Sequence, residues 1–277
     1  MASAERRRRL IVTADDFGAS TSINQAVFEA HHKGVLTCAS LMVNGEAFDD
    51  AVEISRLCPN LGVGLHLTLC SGRATLEAED VPDLVNDGGT FRRSAVAAGF
   101  ASYFSLGLRE QLSKEIAAQF DKFSATGLRM DHVNGHLHFH LHPTVLSLLI
   151  PEMKKRGVRA LRVTNEPIAI DSKLGRGRLF YRWSHWIIFN RLSARARPLL
   201  RGEGFTHPSH VFGLLQDARI TEDYLLKLVP QLPPGDSELY AHPSLEAFSH
   251  EYLALVSPNV KGTIQEHGIE LIRYQDL

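Results

Sequence analysis

Apolar positions along the chain switch repeatedly between a strand period and a helix period. The run 10–14, Leu10-Ile11-Val12-Thr13-Ala14, reads as a buried strand, and Ile23, Val27 and Ala30 then mark one helical face that stops at Gly34. A second strand is predicted over 37–43, and a helix follows through Ala47, Phe48, Ala51, Val52 and Ile54. In 61–69 the alternation is strict: Val63, Leu65, Leu67 and Leu69 form one row, and Gly62, Gly64, His66 and Thr68 the other. His66 therefore shares a face with small residues rather than with the aliphatic row. Residues 71–104 carry little periodicity and read as an excursion over one end of the fold. Leu108, Leu112, Ile116, Phe120 and Phe123 restore a helix. Later strands are predicted at 128–134, 158–163, 210–212, 237–241 and 269–274, with helices after Pro143, at 221–229 and at 247–256, and a basic aromatic excursion within 171–205.

Seven or eight strand-then-helix units in one chain favour a single distorted (β/α) barrel of the TIM type, spanning 1–277, over an open doubly wound sheet. No glycine-rich dinucleotide turn follows the first strand. Barrel enzymes keep their chemistry where strands end. Asp15, Asp16, His66, Asn134, His136 and His242 all fall at or just beyond the C-terminal end of a predicted strand.

Composition narrows the function classes. The chain has 277 residues, is 44% hydrophobic and 22% charged, and has a net charge of −1, so it has no global field for nucleic acid. Cys38, Cys58 and Cys70 are too far apart for a metal knuckle and read as buried thiols in a reducing compartment. Arg6 to Arg9 precede an apolar stretch too short for an export signal, which points to the cytoplasm. No run reaches the ~20 apolar residues of a spanning helix.

The adjacent carboxylates Asp15 and Asp16 repel unless a cation or a division of labour separates them, so one suits a metal ligand and the other a general base. Residues 132–142 hold five of the fourteen histidines. In an extended backbone the even-numbered ones share a face, and Gly135 breaks the strand, which leaves one or two to reach a common ion. His136 is the expected ligand, with His138 close by, and His132, His140 and His142 are read as packing. An Asp with a histidine from each of two strands supplies one oxygen and two nitrogens and leaves a position open for water, as in a catalytic site. His242, fixed by Pro243, suits an acid for the leaving group. Asn134, His138 and Arg162 are expected to bind substrate.

Taken together, Val12-Thr13-Ala14-Asp15-Asp16-Phe17-Gly18, Gly64-Leu65-His66-Leu67, Asn134-Gly135-His136-Leu137-His138 and Glu238-Leu239-Tyr240-Ala241-His242-Pro243 resemble the YdjC-like carbohydrate deacetylases over nearly the whole chain. The segment Asp131-His132-Val133-Asn134-Gly135-His136, with Leu141-His142-Pro143, is most similar to the branch associated with hopanoid biosynthesis. The resemblance implies metal-dependent removal of an N-acetyl group from an amino sugar, on a chito-oligosaccharide or on a hopanoid lipid. It also implies Asp16, His66 and His136 as ligands, Asp15 as base and His242 as acid. Asn134-Gly135 stands where many members have Asp-Ser, so a carboxylate behind His136 is missing. The ion implied is one divalent metal, zinc or magnesium first, then manganese or cobalt.

A lipid-linked substrate would bring the protein to the inner face of the cytoplasmic membrane. Arg176, Arg178, Arg182, Arg191, Arg195, Arg197 and Arg201, interleaved with Phe180, Tyr181, Trp183, Trp186 and Phe189, suit peripheral contact with an anionic surface as well as they suit ordinary helix decoration. A homodimer is compatible with the same chain. Competing readings are a metal-dependent phosphoesterase and a non-catalytic sugar or lipid-carrier binding protein. A glycosidase, which needs two separated carboxylates, fits less well.

Overall fold

A computed structural model describes residues 7–92, 106–175 and 177–277. The expectations placed on Arg6, on 93–104 and on Arg176 lie outside the described residues. Seven parallel strands form one curled sheet: β1 (Arg8–Phe17), β2 (Cys38–Leu41), β3 (Gly62–Leu67), β4 (Val133–Gly135), β5 (His210–Phe212), β6 (Gly235–Ala241) and β7 (Glu270–Leu271). Their order is β4-β3-β2-β1-β6-β5, with β7 on β1. One edge of β1 carries β6 along most of its length. Its other edge is shared, with β7 beside Arg9 and Leu10 and β2 from Thr13 onward.

Among the described residues the regular ladders make a half-barrel of seven strands, the lower of the predicted seven or eight, and do not close into a full TIM barrel. The segment 158–163 makes only single parallel bridges, Val133 to Leu161 and Ala160 to Thr206, between β4 and the chain before β5. The reason lies in β4, which Gly135 ends after three residues, so its neighbour has little edge to pair with. Around the sheet pack α1 (Thr21–Lys33), α2 (Phe48–Leu57), α3 (Leu106–Ala125), α4 (Pro143–Lys155), α5 (Ile168–Leu174), α6 (Leu179–Gly202), α7 (Glu222–Leu228), α8 (Ser249–Val256) and α9 (Pro258–Glu266). Ser20 caps α1 by accepting the Ile23 N–H at 3.3 Å. The excursion at 171–205 is mostly helix, α5 and α6, whereas the described part of 71–104 has only isolated antiparallel bridges.

Alternation along the strands sorts the core into two parts. Leu10, Val12 and Ala14, Ala39 and Leu41, and Val63, Leu65 and Leu67 face the helices and join the main apolar core. The inner rows are different. At the N-terminal end of the strands Ile11, Cys38, Ala160, Ile272 and Tyr274 form a small apolar plug. Above it Thr13, Ser40, His132, Asn134, Arg162 and Glu238 are all completely buried. Burial of that many polar groups is tolerable only if each finds a partner, so the interior is organised by hydrogen bonding rather than by apolar packing.

Candidate active site

β1 carries both carboxylates past its regular pairing, and a register shift between Ala14 and Phe17 marks a bulge there. Asp16 takes φ +60, a conformation aspartate tolerates better than most residues. The bulge gives the two neighbours different surroundings. Asp15 continues the inward row of Ile11 and Thr13 and is buried. Asp16 turns towards the mouth and is 20% exposed at its side chain.

Asp16 Oδ1 lies 3.2 Å from His66 Nε2 and 3.0 Å from His136 Nδ1. The two imidazoles meet edge to face, with centroids 5.6 Å apart. One ligand atom from each of the three residues lies within 4.8 Å of the others. His66 Nε2 is buried without a hydrogen-bond partner, a costly state for a nitrogen lone pair that a cation would relieve. Burial alone would raise the Asp16 carboxyl, but the hydrogen bond from His136 and the imidazole of His66 close by hold it well below the usual range. Two imidazole nitrogens and a carboxylate oxygen, with a cleft on one side, fit an open divalent-metal site.

Asp15 belongs to a separate network. Arg162 donates to both of its oxygens, Nη1 to Oδ2 at 2.5 Å and Nη2 to Oδ1 at 2.9 Å, and Asn134 Nδ2 donates to Oδ1 at 3.1 Å. Burial works to raise the Asp15 carboxyl, but the Arg162 charge overcomes it and holds the group far below its ordinary value. Arg162 is pinned from its other side by Glu238, through Nε at 3.0 Å and Nη2 at 2.7 Å. Thr13 Oγ1 and the Tyr274 hydroxyl also donate to Glu238. Arg162 and Asn134 were expected at the substrate. Both are instead wholly buried, absent from the cleft lining and turned onto Asp15, so they hold its carboxylate from behind.

The cleft beside these residues has a volume of about 350 Å³, within the range of small-ligand sites. Asp15, His66, His136, His138, Tyr240 and His242 form its floor, and Tyr181, His185, Ile188 and Phe189 of α6 form one wall. His138 is part of the cleft lining. It is buried and bonded through Nε2 to the Tyr240 hydroxyl at 2.8 Å, and its Nδ1 has no partner. Burial keeps this imidazole neutral. The strand ends at Gly135, and Leu137 and His138 both have left-handed φ, +51 and +55, so the chain turns tightly from His136 and the even-numbered histidines do not share one extended face. His140 caps the Arg162 carbonyl at 2.9 Å, and burial lowers it to about 3, in keeping with a packing role. His242 sits opposite Asp15 and Asp16. Burial lowers its pKa, but the charges of Asp16, Asp15, Asp217 and Glu251 prevail and raise it above the ordinary histidine value.

Sequence reasoning missed Tyr240, Glu238, Asp217, Glu251 and the α6 wall. For the first two a signal exists: Glu238 and Tyr240 occupy alternate positions of β6 and His242 follows in step just beyond its end, so an inward His242 brings the others with it. Asp217 and Glu251 come from loop and helix and leave no such trace.

Residues 9–266 match the family described as YdjC-like protein, and the chain belongs to that family. Among individual proteins, it is 29% identical over 273 residues to a carbohydrate deacetylase of Geobacillus stearothermophilus, covering 97% of this chain and 98% of that one. It is 40% identical over 142 residues to a carbohydrate deacetylase of Brevibacillus brevis, covering 51% of this chain and 54% of that one. A chitooligosaccharide deacetylase of Escherichia fergusonii is 35% identical over 170 residues, 60% of this chain and 64% of that one. These last two matches span between half and two-thirds of the relatives' lengths. Among solved structures, the family 4 carbohydrate esterase of Streptomyces lividans in complex with acetate superposes with TM-score 0.51 at 10% identity, over 96% of this chain and 92% of that one. That similarity shows a shared curled α/β fold.

Proposed function

We propose that this protein is a metal-dependent hydrolase that removes the N-acetyl group of an amino sugar. The observation that carries the reading is the convergence of Asp16, His66 and His136 on one point at the rim of a cleft that also exposes Asp15 and His242. The names of the relatives supply the substrate class, N-acetylated carbohydrate. A divalent ion held by the three ligands would polarise the amide carbonyl and lower the pKa of an attacking water, and two imidazoles in the set favour zinc over magnesium. Asp15 then takes the proton from that water. Arg162 holds this carboxylate ionised and oriented, and its place in the cleft lining puts it where it can accept that proton. His242, kept protonated by its acidic neighbours, delivers a proton to the departing amine nitrogen.

For the finer substrate, the outer face of α6 favours an amino sugar attached to a lipid over a free chito-oligosaccharide. Phe180, Trp183 and Ile187 are 89%, 54% and 39% exposed, and with Arg191 and Arg195 they make one stripe, apolar in its first half and basic in its second. Such a stripe suits the inner surface of an anionic membrane, and the residues of α6 that line the cleft begin directly behind it. Among the described residues no helix is long and apolar enough to cross a membrane.

Acetate release decides the reading. The protein, stripped by chelator and reloaded with zinc, is offered chito-oligosaccharides, an N-acetylglucosaminyl hopanoid in vesicles, and an aryl phosphate. Metal-dependent acetate release from either glycan is expected, faster from the lipid-linked one. Phosphate release without acetate release would overturn the assignment.

A further inference from the structure

Asp131 and His132 take no part in the chemistry above, yet both are buried beneath the site, and space has been cleared for them. A Cβ on Gly64 would sit 2.5 Å from the His132 ring, and one on Gly62 would sit 2.7 Å from Asp131 Oδ2. The alternate glycines of β3 therefore make room for these two side chains. Tyr274 stacks on the other face of His132, with centroids 4.2 Å apart and planes within 15°. Cys38, Asp131 and His132 also bring ligand atoms within 4.8 Å. Unlike the His66 cluster, though, each has a hydrogen-bond partner, so the group reads as a link rather than as an ion site.

The link can be followed atom by atom. Asp131 Oδ1 accepts the Gln275 N–H at 3.0 Å, and Oδ2 lies 3.1 Å from His132 Nδ1. A carboxylate can only accept there, so His132 carries a proton on Nδ1, and as a neutral ring it presents a bare Nε2 to Ser40 Oγ at 3.0 Å. The Ser40 hydroxyl must then donate to His132. Its remaining lone pair accepts from Asn134 Nδ2 at 2.7 Å. The same amide nitrogen donates to Asp15 Oδ1, and Asn134 Oδ1 accepts from His66 Nδ1 at 2.8 Å. With its proton on Nδ1, His66 leaves Nε2 bare, and that is the unpartnered atom facing Asp16.

We propose that Asp131, His132 and Ser40 are positioning residues: a one-way hydrogen-bond chain, anchored on Asp131, that fixes the Asn134 amide and through it the tautomer of His66 that can ligate a metal. The chain rests on the metal-site reading above and supports His66, not His136, from below. Asp15 gives the Asn134 amide the same orientation, so the two carboxylates hold it from opposite sides. Replacing Asp131 by Asn cannot preserve this pattern. The new amide oxygen can serve His132 or the Gln275 N–H, and its NH₂ then meets a donor at the other.

The test reads tautomers and zinc affinity, neither of which needs acetate release, so its failure is distinct from failure of the deacetylase reading. Nitrogen-15 correlation spectra of the metal-free wild type should show both His132 and His66 as Nδ1–H forms. Finding either ring as the Nε2–H form would overturn the chain without any variant. In Asp131→Asn and Ser40→Ala, zinc affinity measured by chelator competition should fall about tenfold, the lower end for partners behind a metal ligand. Ser40→Thr, which keeps the hydroxyl, should recover most of it. Ile264→Ala, a buried change far from the chain of bonds, should lower melting temperature without moving zinc affinity. Folded Asp131→Asn and Ser40→Ala proteins that bind zinc within twofold of wild type would reject the proposal. Should those variants fail to fold, the wild-type tautomers decide.

Discussion

The inner face of the sheet and the outer face of α6 both carry charge and aromatic surface, but they treat it in opposite ways. Inside, Glu238 and Arg162 are fully buried and bonded to each other, Asp15 is held against Arg162 with one side to the cleft, and the neighbouring polar groups form a directed network. Outside, Phe180 and Trp183 are open to solvent, and Arg191 and Arg195 stand clear of them further along the same stripe. The difference separates two tasks. Fixed dipoles and charges without water suit a reaction centre that must not reorganise. An exposed amphipathic stripe suits an extended partner met by area rather than by geometry.

Arg182 breaks the simple form of this contrast, and the largest expected effect follows from it. Although it lies in α6 among the exposed arginines, it is buried and donates to Asp171 Oδ2 through Nε at 2.9 Å and Nη2 at 2.5 Å, and to the Asp171 carbonyl. Arg182→Ala would leave Asp171 buried and uncompensated, a loss of about 3–5 kcal/mol in folding stability. Urea unfolding checks this, with Arg191→Ala expected to change stability by less than about 0.5 kcal/mol. Equal effects of the two would mean that the wall is not built around the Arg182–Asp171 pair.

Asp15→Asn comes next. The amide keeps the shape but cannot take a proton, so turnover should fall by at least ~100-fold. Zinc affinity should stay near that of wild type, because Asp15 points to Arg162 rather than to the His66 cluster. Zinc lost together with turnover would make Asp15 a ligand and merge the two carboxylate roles that the β1 bulge separates.

That separation also shows how far the sequence could be read. The strict alternation in 61–69 is enough to turn His66 inward, and the six residues placed at strand ends do gather at one end of the sheet. The bulge is not legible, because the left-handed Asp16 follows from how β1 and β2 fit together and not from any local signal. Arg162 and Asn134 look like substrate contacts when only their strand position is known. Their partners Glu238, Ser40 and Asp15 come from elsewhere in the chain, and spacing carries no trace of that pairing. Arg182 and Arg191 are likewise indistinguishable in composition, since only the fold puts Asp171 opposite the first.

A smaller effect concerns pH. The raised pKa of His242 means that it holds its proton to a higher pH than ordinary histidine, so an acid role predicts activity lost as pH rises through that raised value. Asp217, whose Oδ1 is 3.8 Å from His242 Nδ1, is one of the charges that raise it. Asp217→Asn should therefore move the alkaline limb of the kcat/KM profile to lower pH while the plateau changes little. An unmoved limb would assign it to another group.

The smallest effect tests the outer face itself. Replacing Phe180 and Trp183 by Ser removes exposed apolar surface and no internal hydrogen bond, so stability and turnover on a short chito-oligosaccharide should stay within about twofold. On an N-acetylglucosaminyl lipid in anionic vesicles the same variant should show KM raised several-fold with kcat intact, because what is lost is binding shared by ground and transition states. Changing Arg191 and Arg195 to Gln should weaken vesicle binding by roughly 1 kcal/mol per charge at low salt and less as salt rises. Arg182 must be left in place, or misfolding would be read as lost docking. If both variants treat lipid-linked and free sugars alike, the stripe on α6 has no part in substrate choice, and the contrast between the two faces reduces to one between core and surface.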